Sequence, residues 1–202
     1  IITDWREHLL KNDGTRGIFI TIEGPDGAGK STQAKHLADY LTDNGHEVIL
    51  TREPGGTKIG EQVRGILLNP LNHQLSFKTE VLLYAACRSQ LLKEIITPAL
   101  KAGKIVISDR FVDSSIAYQG YGRNLDIELV KKINQLVVEE FMPDITIFID
   151  VPVNIGMERN ANDGKNRDRM ESEQIEFHNR VYNGFKGLAA KDSRFKTVNG
   201  NK

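Results

Sequence analysis

Gly24-Pro25-Asp26-Gly27-Ala28-Gly29-Lys30-Ser31 follows the pattern G-x-x-x-x-G-K with Ser or Thr at its end, the phosphate-binding P-loop. The flanking residues supply the context that this motif needs. Gly17-Ile18-Phe19-Ile20-Thr21-Ile22 is rich in β-branched residues and reads as a buried strand. Ser31 to Leu41 carries apolar residues at helical spacing. Glycines let the loop bend so that successive N–H groups face a phosphate, and the helix start adds its own unpaired N–H groups. Gly24, Gly27, Ala28, Gly29 and Thr32 are thus expected to cradle the nucleotide phosphates. Lys30 is expected to reach the β and γ phosphates, and the Ser31 hydroxyl to ligate Mg²⁺. The loop predicts a nucleoside triphosphate as ligand.

Working outward, five short segments read as buried strands: Gly17–Ile22, Glu47–Thr51, Lys104–Ser108, Ile145–Asp150 and Phe195–Val198. Helical patterns separate them. This alternation predicts an α/β fold, a three-layer arrangement of a five-stranded parallel sheet with helices on both faces. Lys78–Lys101 reads as helical almost throughout, with a kink near Pro98, and Ile127–Phe141 as a second amphipathic helix. No linker divides the chain, so residues 17–202 are expected to be one domain. Residues 1–16 form an N-terminal extension, either a short surface helix or an expression remnant. The chain ends just after the last strand, where a doubly wound fold commonly has a closing helix. That helix is expected to be absent from this chain or disordered.

Composition narrows the partners. Twenty-seven basic residues balance twenty-seven acidic ones, which gives no electrostatic case for a nucleic-acid polymer or an anionic membrane. One cysteine rules out an intramolecular disulfide and suits a reducing cytoplasm. No apolar run approaches a membrane span, and there is no signal-peptide pattern. Cys87 reads as core, and the five histidines lack metal-ligand spacing.

Ligands of open α/β sheets bind at the carboxyl ends of the strands. Asp109-Arg110 follows the third strand and should stand beside the phosphates: Arg110 can hold a phosphate in two bonds, and Asp109 a hydrated metal. Thr51-Arg52-Glu53-Pro54-Gly55-Gly56 is a rigid turn at another strand end. Residues 152–170 are polar, basic and glycine-interrupted, as expected for a mobile lid.

These residues together carry a resemblance. Thr-Arg-Glu-Pro-Gly-Gly from Thr51, Tyr-Ala-Ala-x-Arg from Tyr84, Asp-Arg-Phe-x-Asp-Ser-Ser-x-Ala-Tyr-Gln-Gly from Asp109 and Asp-Arg-x-Glu from Asp168 resemble the bacterial thymidylate kinase family, in order, from about Gly17 to Asn199. The resemblance implies a homodimeric enzyme that transfers a phosphoryl group from ATP to dTMP with Mg²⁺. It makes Tyr84 the ring that stacks on thymine and Arg88 a donor to a base carbonyl; the two are four apart, on one helix face. It places Ser115, Tyr118 and Gln119 against base and sugar, with Tyr118 crowding the position of a ribose 2′-hydroxyl. Arg52, Glu53, Arg64 and Arg110 fall on the acceptor side. Asp26 orients the arginine–phosphate network or the sugar 3′-hydroxyl. Arg159 and Asn199 fall on the ATP side. Gly27 stands where some members carry an arginine, which leaves Arg159, Arg167 and Arg169 of the lid as sources of the catalytic charge, Arg167 and Arg169 foremost. Asp163-Gly164 departs from the family's frequent Arg-Gly. A GTPase-type switch would need Asn-Lys-x-Asp, which does not occur. A kinase for another small acceptor is the remaining alternative, opposed only by the resemblance.

Overall fold

The computed structural model describes residues 16–138, 141–164 and 166–201. Five parallel strands form one sheet in the order β2-β3-β1-β4-β5: β1 Phe19–Glu23, β2 Val48–Arg52, β3 Ile105–Asp109, β4 Ile145–Asp150 and β5 Phe195–Asn199. Each lies within two residues of its expected position. The P-loop therefore leaves the central strand, and α1 (Lys30–Asp43) follows it.

Alternate residues of β1 feed opposite faces of the sheet, as the strand period requires. Phe19 joins Leu91, Ile96, Leu100, Val106 and Phe111 in one core cluster, while Ile20 and Ile22 join Ala34, Ala38, Leu41 and Ile107 in another. A third cluster gathers Tyr118, Phe148, Phe177 and Phe185 beneath α8 (Ile175–Ala189), the last helix. The remaining helices are α2 (Lys58–Leu68), α3 (Phe77–Leu91), α4 (Thr97–Lys101), α5 (Val112–Ser115), α6 (Ile127–Val138) and α7 (Val153–Asn162).

The long helix expected over Lys78–Lys101 is continuous but not uniform. Leu92–Ile96 forms a π turn between α3 and α4, with the Thr97 N–H reaching the Leu92 carbonyl. Pro98 offers no N–H and would crowd the preceding turn, so a widened turn just before it relieves the clash. A second π segment, Ile116–Gly122, continues α5 and was not foreseen. The second amphipathic helix ends at Val138 among the described residues.

The first strand begins at Phe19, two residues later than expected, and Gly17 before it lies against another backbone. A Cβ there would stand 1.8 Å from the Lys104 carbonyl oxygen. The expected extension, residues 1–15, lies outside the described residues. Arg16 was grouped with it but is tied into the domain: its guanidinium pairs with Asp144 at 2.6 Å, and the same carboxylate accepts the Phe19 N–H at 2.7 Å. Asp144 thus serves as the partner of the central strand's first amide. Asp144→Ala should cost about 1–3 kcal/mol and Asp144→Asn about half of that, because asparagine keeps an acceptor for Phe19. Urea denaturation of both variants measures the difference.

Candidate active site

The register of the sheet builds the site. Ile22 pairs with Asp109 across β1 and β3, and Arg52 pairs with Asp109 across β2 and β3. The ends of three strands therefore lie in one row at the carboxyl edge, around the P-loop. A cleft of about 580 Å³ opens there.

Within the P-loop, Gly24, Gly27 and Gly29 have φ of 147°, 73° and 86°, a region that favours glycine. Gly27 has a second constraint. A Cβ on it would lie 2.0 Å from the Gly156 carbonyl oxygen of α7, and a Cβ on Gly156 would lie 2.3 Å from the Asp26 carbonyl oxygen. No side chain fits between loop and helix, which accounts physically for the glycine at position 27. Lys30 is buried and donates to the Pro25 carbonyl at 2.7 Å. Burial, reinforced by Arg110, pushes its ammonium down to about 8.

Ser31 Oγ donates to Asp109 Oδ2 at 2.5 Å, and the other oxygen of Asp109 is buried with no hydrogen-bond partner among the described residues. One hydroxyl and one carboxylate beside a phosphate cradle suit a hydrated, phosphate-bridging divalent cation.

Arg110 dominates the wall opposite Lys30. Its φ is 72°, an unusual value for a residue with a side chain. Its guanidinium binds the Gly24 carbonyl, Ser114 Oγ and Tyr118 Oη, each at 3.1 Å, and forms an ion pair with Asp26. Burial alone would raise the Asp26 carboxyl, but Arg110 and Lys30 hold it below the usual range. The Tyr118 ring lies 4.8 Å from the guanidinium carbon, so the expected sugar-side tyrosine also supports Arg110.

Arg88 is 1% exposed and fully engaged on one side. It grips Glu53 at 2.6 Å, Ser115 at 2.9 Å and Asn134 at 2.7 Å, leaving Nη1 with a donor to spare. Glu53 and Ser115, expected as acceptor-binding residues, here serve to orient Arg88. Tyr84 is half-buried on the cleft wall one turn before it, and Gln119 donates to Glu80 at 2.9 Å. Arg52 lines the cleft but is exposed, paired with Glu61 at 2.9 Å; Arg64 donates to the Pro54 carbonyl at 2.7 Å.

The first half of the segment expected to be a lid is the helix α7, and Gly156 is its contact point with the P-loop. Arg159 lines the cleft and donates to the Gly200 carbonyl at 3.0 Å, beside Asn199, which ends β5 outside the cleft wall. Arg167 is exposed and borders a small cavity behind Asp26. Arg169, expected beside Arg167 as a lid charge, is instead buried. It pairs with Glu80 at 2.6 Å and donates to the Leu67 carbonyl at 2.7 Å, so it anchors the lid's end to α2 and α3.

Three acids were missed. Glu80 is wholly buried and collects Arg123, Arg169 and Gln119. Asp113 pairs with Arg194 at 3.3 Å. Glu23, wholly buried at the end of β1, accepts from Phe111 N–H at 2.8 Å and contacts Ser114 Oγ at 2.6 Å. An acid ending an apolar strand just before the P-loop was the available signal for Glu23, parallel to Asp109 ending β3.

A cleft with a phosphate-binding loop on one side and Arg110 with the buried Arg88 on the other has the layout of a P-loop kinase rather than of a switch. The particular family follows from comparison. The chain belongs to the thymidylate kinase family: the model for Thymidylate kinase matches residues 22–202. The thymidylate kinase of Lactobacillus helveticus is 52% identical over 189 residues, 91% of this chain and 88% of that protein. That of Exiguobacterium sibiricum is 50% identical over 186 residues, covering 92% and 87%. The crystal structure of thymidylate kinase from Ehrlichia chaffeensis superposes with a TM-score of 0.75 at 40% identity, covering 90% of this chain and 92% of that one.

Burial, followed by the nearby Asp113, pushes the Glu23 carboxyl up from 4.5 to about 8. The folded protein then keeps a proton that the unfolded chain releases near pH 4.5, so this group's contribution to stability is present below that pH and is lost as pH rises through about 8. Glu23→Gln mimics the protonated form. Thermal unfolding between pH 5 and pH 9 should show a decline with pH in the parent that is several degrees smaller in the variant.

Proposed function

We propose that this chain phosphorylates dTMP to dTDP with ATP by direct in-line transfer, with roles divided as follows. The observation that carries the division is that one cleft is lined both by Lys30, Ser31 and Asp109 and by Tyr84, Arg88 and Arg110. ATP phosphates lie in the P-loop, and dTMP lies between Tyr84 and Tyr118 with its phosphate at Arg110. Domain assignment follows the same reading: residues 17–202, with Arg16 attached, form one catalytic domain whose lid spans about 152–170.

Lys30 leaves the Pro25 carbonyl and takes a γ-phosphate oxygen, where the added negative charge stabilises its ammonium form. Arg110 brings the acceptor phosphate toward the γ-phosphorus, and Asp26 holds Arg110 at that angle. Ser31 and Asp109 are the residues that would hold Mg²⁺, which supplies charge neutralisation between the β and γ phosphates when bound. The acceptor's phosphate oxygen attacks in line and ADP leaves, so no base and no covalent enzyme intermediate are required. Catalysis is positioning plus charge, and lid closure excludes water.

Leu82 on α3 and Leu129 and Leu136 on α6 are exposed, on helices that pack against each other. We assign that apolar face to a homodimer. No helix among the described residues is long and apolar enough to cross a membrane. We place the reaction in the cytoplasm, where the single thiol, Cys87, stays reduced.

A coupled assay with ATP against a panel of nucleoside monophosphates tests the acceptor: dTMP should exceed dUMP and TMP of ribose in kcat/KM, and equal use of all acceptors would remove the assignment. Lys30→Ala should lower kcat by about 100-fold or more with dTMP affinity nearly unchanged, because its charge acts on the transferring group.

The two lid arginines should separate. Arg167→Ala should raise the barrier by roughly 2–4 kcal/mol with little change in dTMP affinity. Arg169→Ala should instead lower the melting temperature, since it strips Glu80 of a buried partner. Single-turnover rates and thermal unfolding of both variants distinguish a charge used in transfer from one used in folding.

A further inference from the structure

Behind the P-loop, on the buried face of α8, His178 faces Asp26. Its Nδ1 is 4.0 Å from Asp26 Oδ2, and the ring is 6% exposed. Asp26 Oδ2 and His178 Nε2 are both buried with no hydrogen-bond partner among the described residues. A cavity of about 20 Å³ adjoins them, lined also by Pro25 of the loop and by Val153 and Met157 of α7. The Phe177 ring meets the imidazole edge-on at 5.4 Å, which limits its tilt.

Asp26 has two oxygens and two tasks. Oδ1 holds Arg110. Oδ2 fixes the plane of the carboxylate, provided that something donates to it. A buried carboxylate oxygen left without a donor is costly. The imidazole can present Nδ1–H to it, and the cavity gives the room for the small rotation that brings a 4.0 Å separation to hydrogen-bond range.

We propose that His178 is a positioning residue for phosphoryl transfer, donating from Nδ1 to Asp26 Oδ2 and thereby keeping Arg110 aimed at the acceptor phosphate. The inference rests on the reading of Asp26 and Arg110 as the acceptor-phosphate pair. It assigns His178 no contact with either substrate.

The test is a double-mutant cycle in the full-length protein, with melting temperature, kcat and the KM values for dTMP and ATP read for each variant. His178→Leu removes the donor at similar size. It should lower kcat/KM for dTMP about ten-fold and leave the ATP KM within about two-fold, as expected for a small misalignment of a substrate-positioning group. His178→Asn carries an amide N–H near the place of Nδ1 and should recover most of the loss. In an Asp26→Asn background, His178→Leu should add less than about two-fold. Should His178→Leu not fold, His178→Gln, whose amide reaches the Nε2 end, provides the contrast with His178→Asn. Additive losses in the Asp26→Asn background, or equal losses in the asparagine and leucine variants that track melting temperature, would overturn the proposal. Normal kinetics in His178→Leu beside an impaired Asp26→Asn would overturn it alone. Normal kinetics in Asp26→Asn would instead remove the reading of Asp26 on which it rests.

Discussion

The guanidinium of Arg110 closes the P-loop from the neighbouring strand, and its backbone is strained to do so. A left-handed conformation at a residue with a side chain costs on the order of 1–3 kcal/mol. Here it is held on every side. The Arg110 N–H donates to the Ile22 carbonyl at 3.0 Å, and its carbonyl accepts from Ser108 Oγ at 2.7 Å. These bonds exist because Ile22 and Asp109 pair in the sheet. The residue after Asp109 must then pass over the loop that leaves β1. Sheet register thus sets the distance between donor and acceptor sites, and one extra residue at either strand end would turn Arg110 away from Gly24 and Asp26.

Buried cations need buried anions, and the cleft shows how the two are divided. Glu53 stands behind Arg88, and Glu80 behind Arg123 and Arg169. Their carboxylates neutralise these buried cations. Lys30 and Arg110 share Asp26 as a near neighbour, and Lys30 is pushed down to about 8 as a result of burial and of the second cation. That part of the cleft is short of negative charge until phosphates arrive. Substrate binding is therefore favoured where the protein's own pairing is least complete, and the loss of hydration on closing strengthens it.

Features that are local in the chain were legible, and features made by contact between distant segments were not. The P-loop, its strand and its helix could be read from residues 17–41 because the motif is contiguous and its periods are short. The strand ends carrying Arg52 and Asp109-Arg110 followed from topology. The π turn at Leu92–Ile96 was only half visible, since Pro98 signals a disturbance but not its form. The burial of Arg169 could not be read locally: it lies two residues from the exposed Arg167, whereas Glu80, which pairs with it, lies about ninety residues earlier. The pairing of Glu53 was hidden in the same way: nothing local says that Arg88 will arrive beside it. Basic residues near a phosphate site advertise themselves, while the acids that hold them do so only once the helices are packed.

The contact of Gly27 with Gly156 bears on where catalytic charge can come from. With carbonyl oxygens 2.0 and 2.3 Å from where a Cβ would stand, neither glycine can be replaced without moving loop and helix apart. A P-loop arginine is therefore excluded by the root of the lid itself. The root is a helix seated on the loop, and Gly164, with its φ of 72°, lies just past the end of that helix. Arg159 precedes that point and is attached to the Gly200 carbonyl. Arg169 follows it but is moored to Glu80. Arg167 lies between Gly164 and Arg169, exposed and bordering the cavity behind Asp26. That position suits the role proposed for it, a charge brought to the transferring phosphoryl group when both nucleotides are bound.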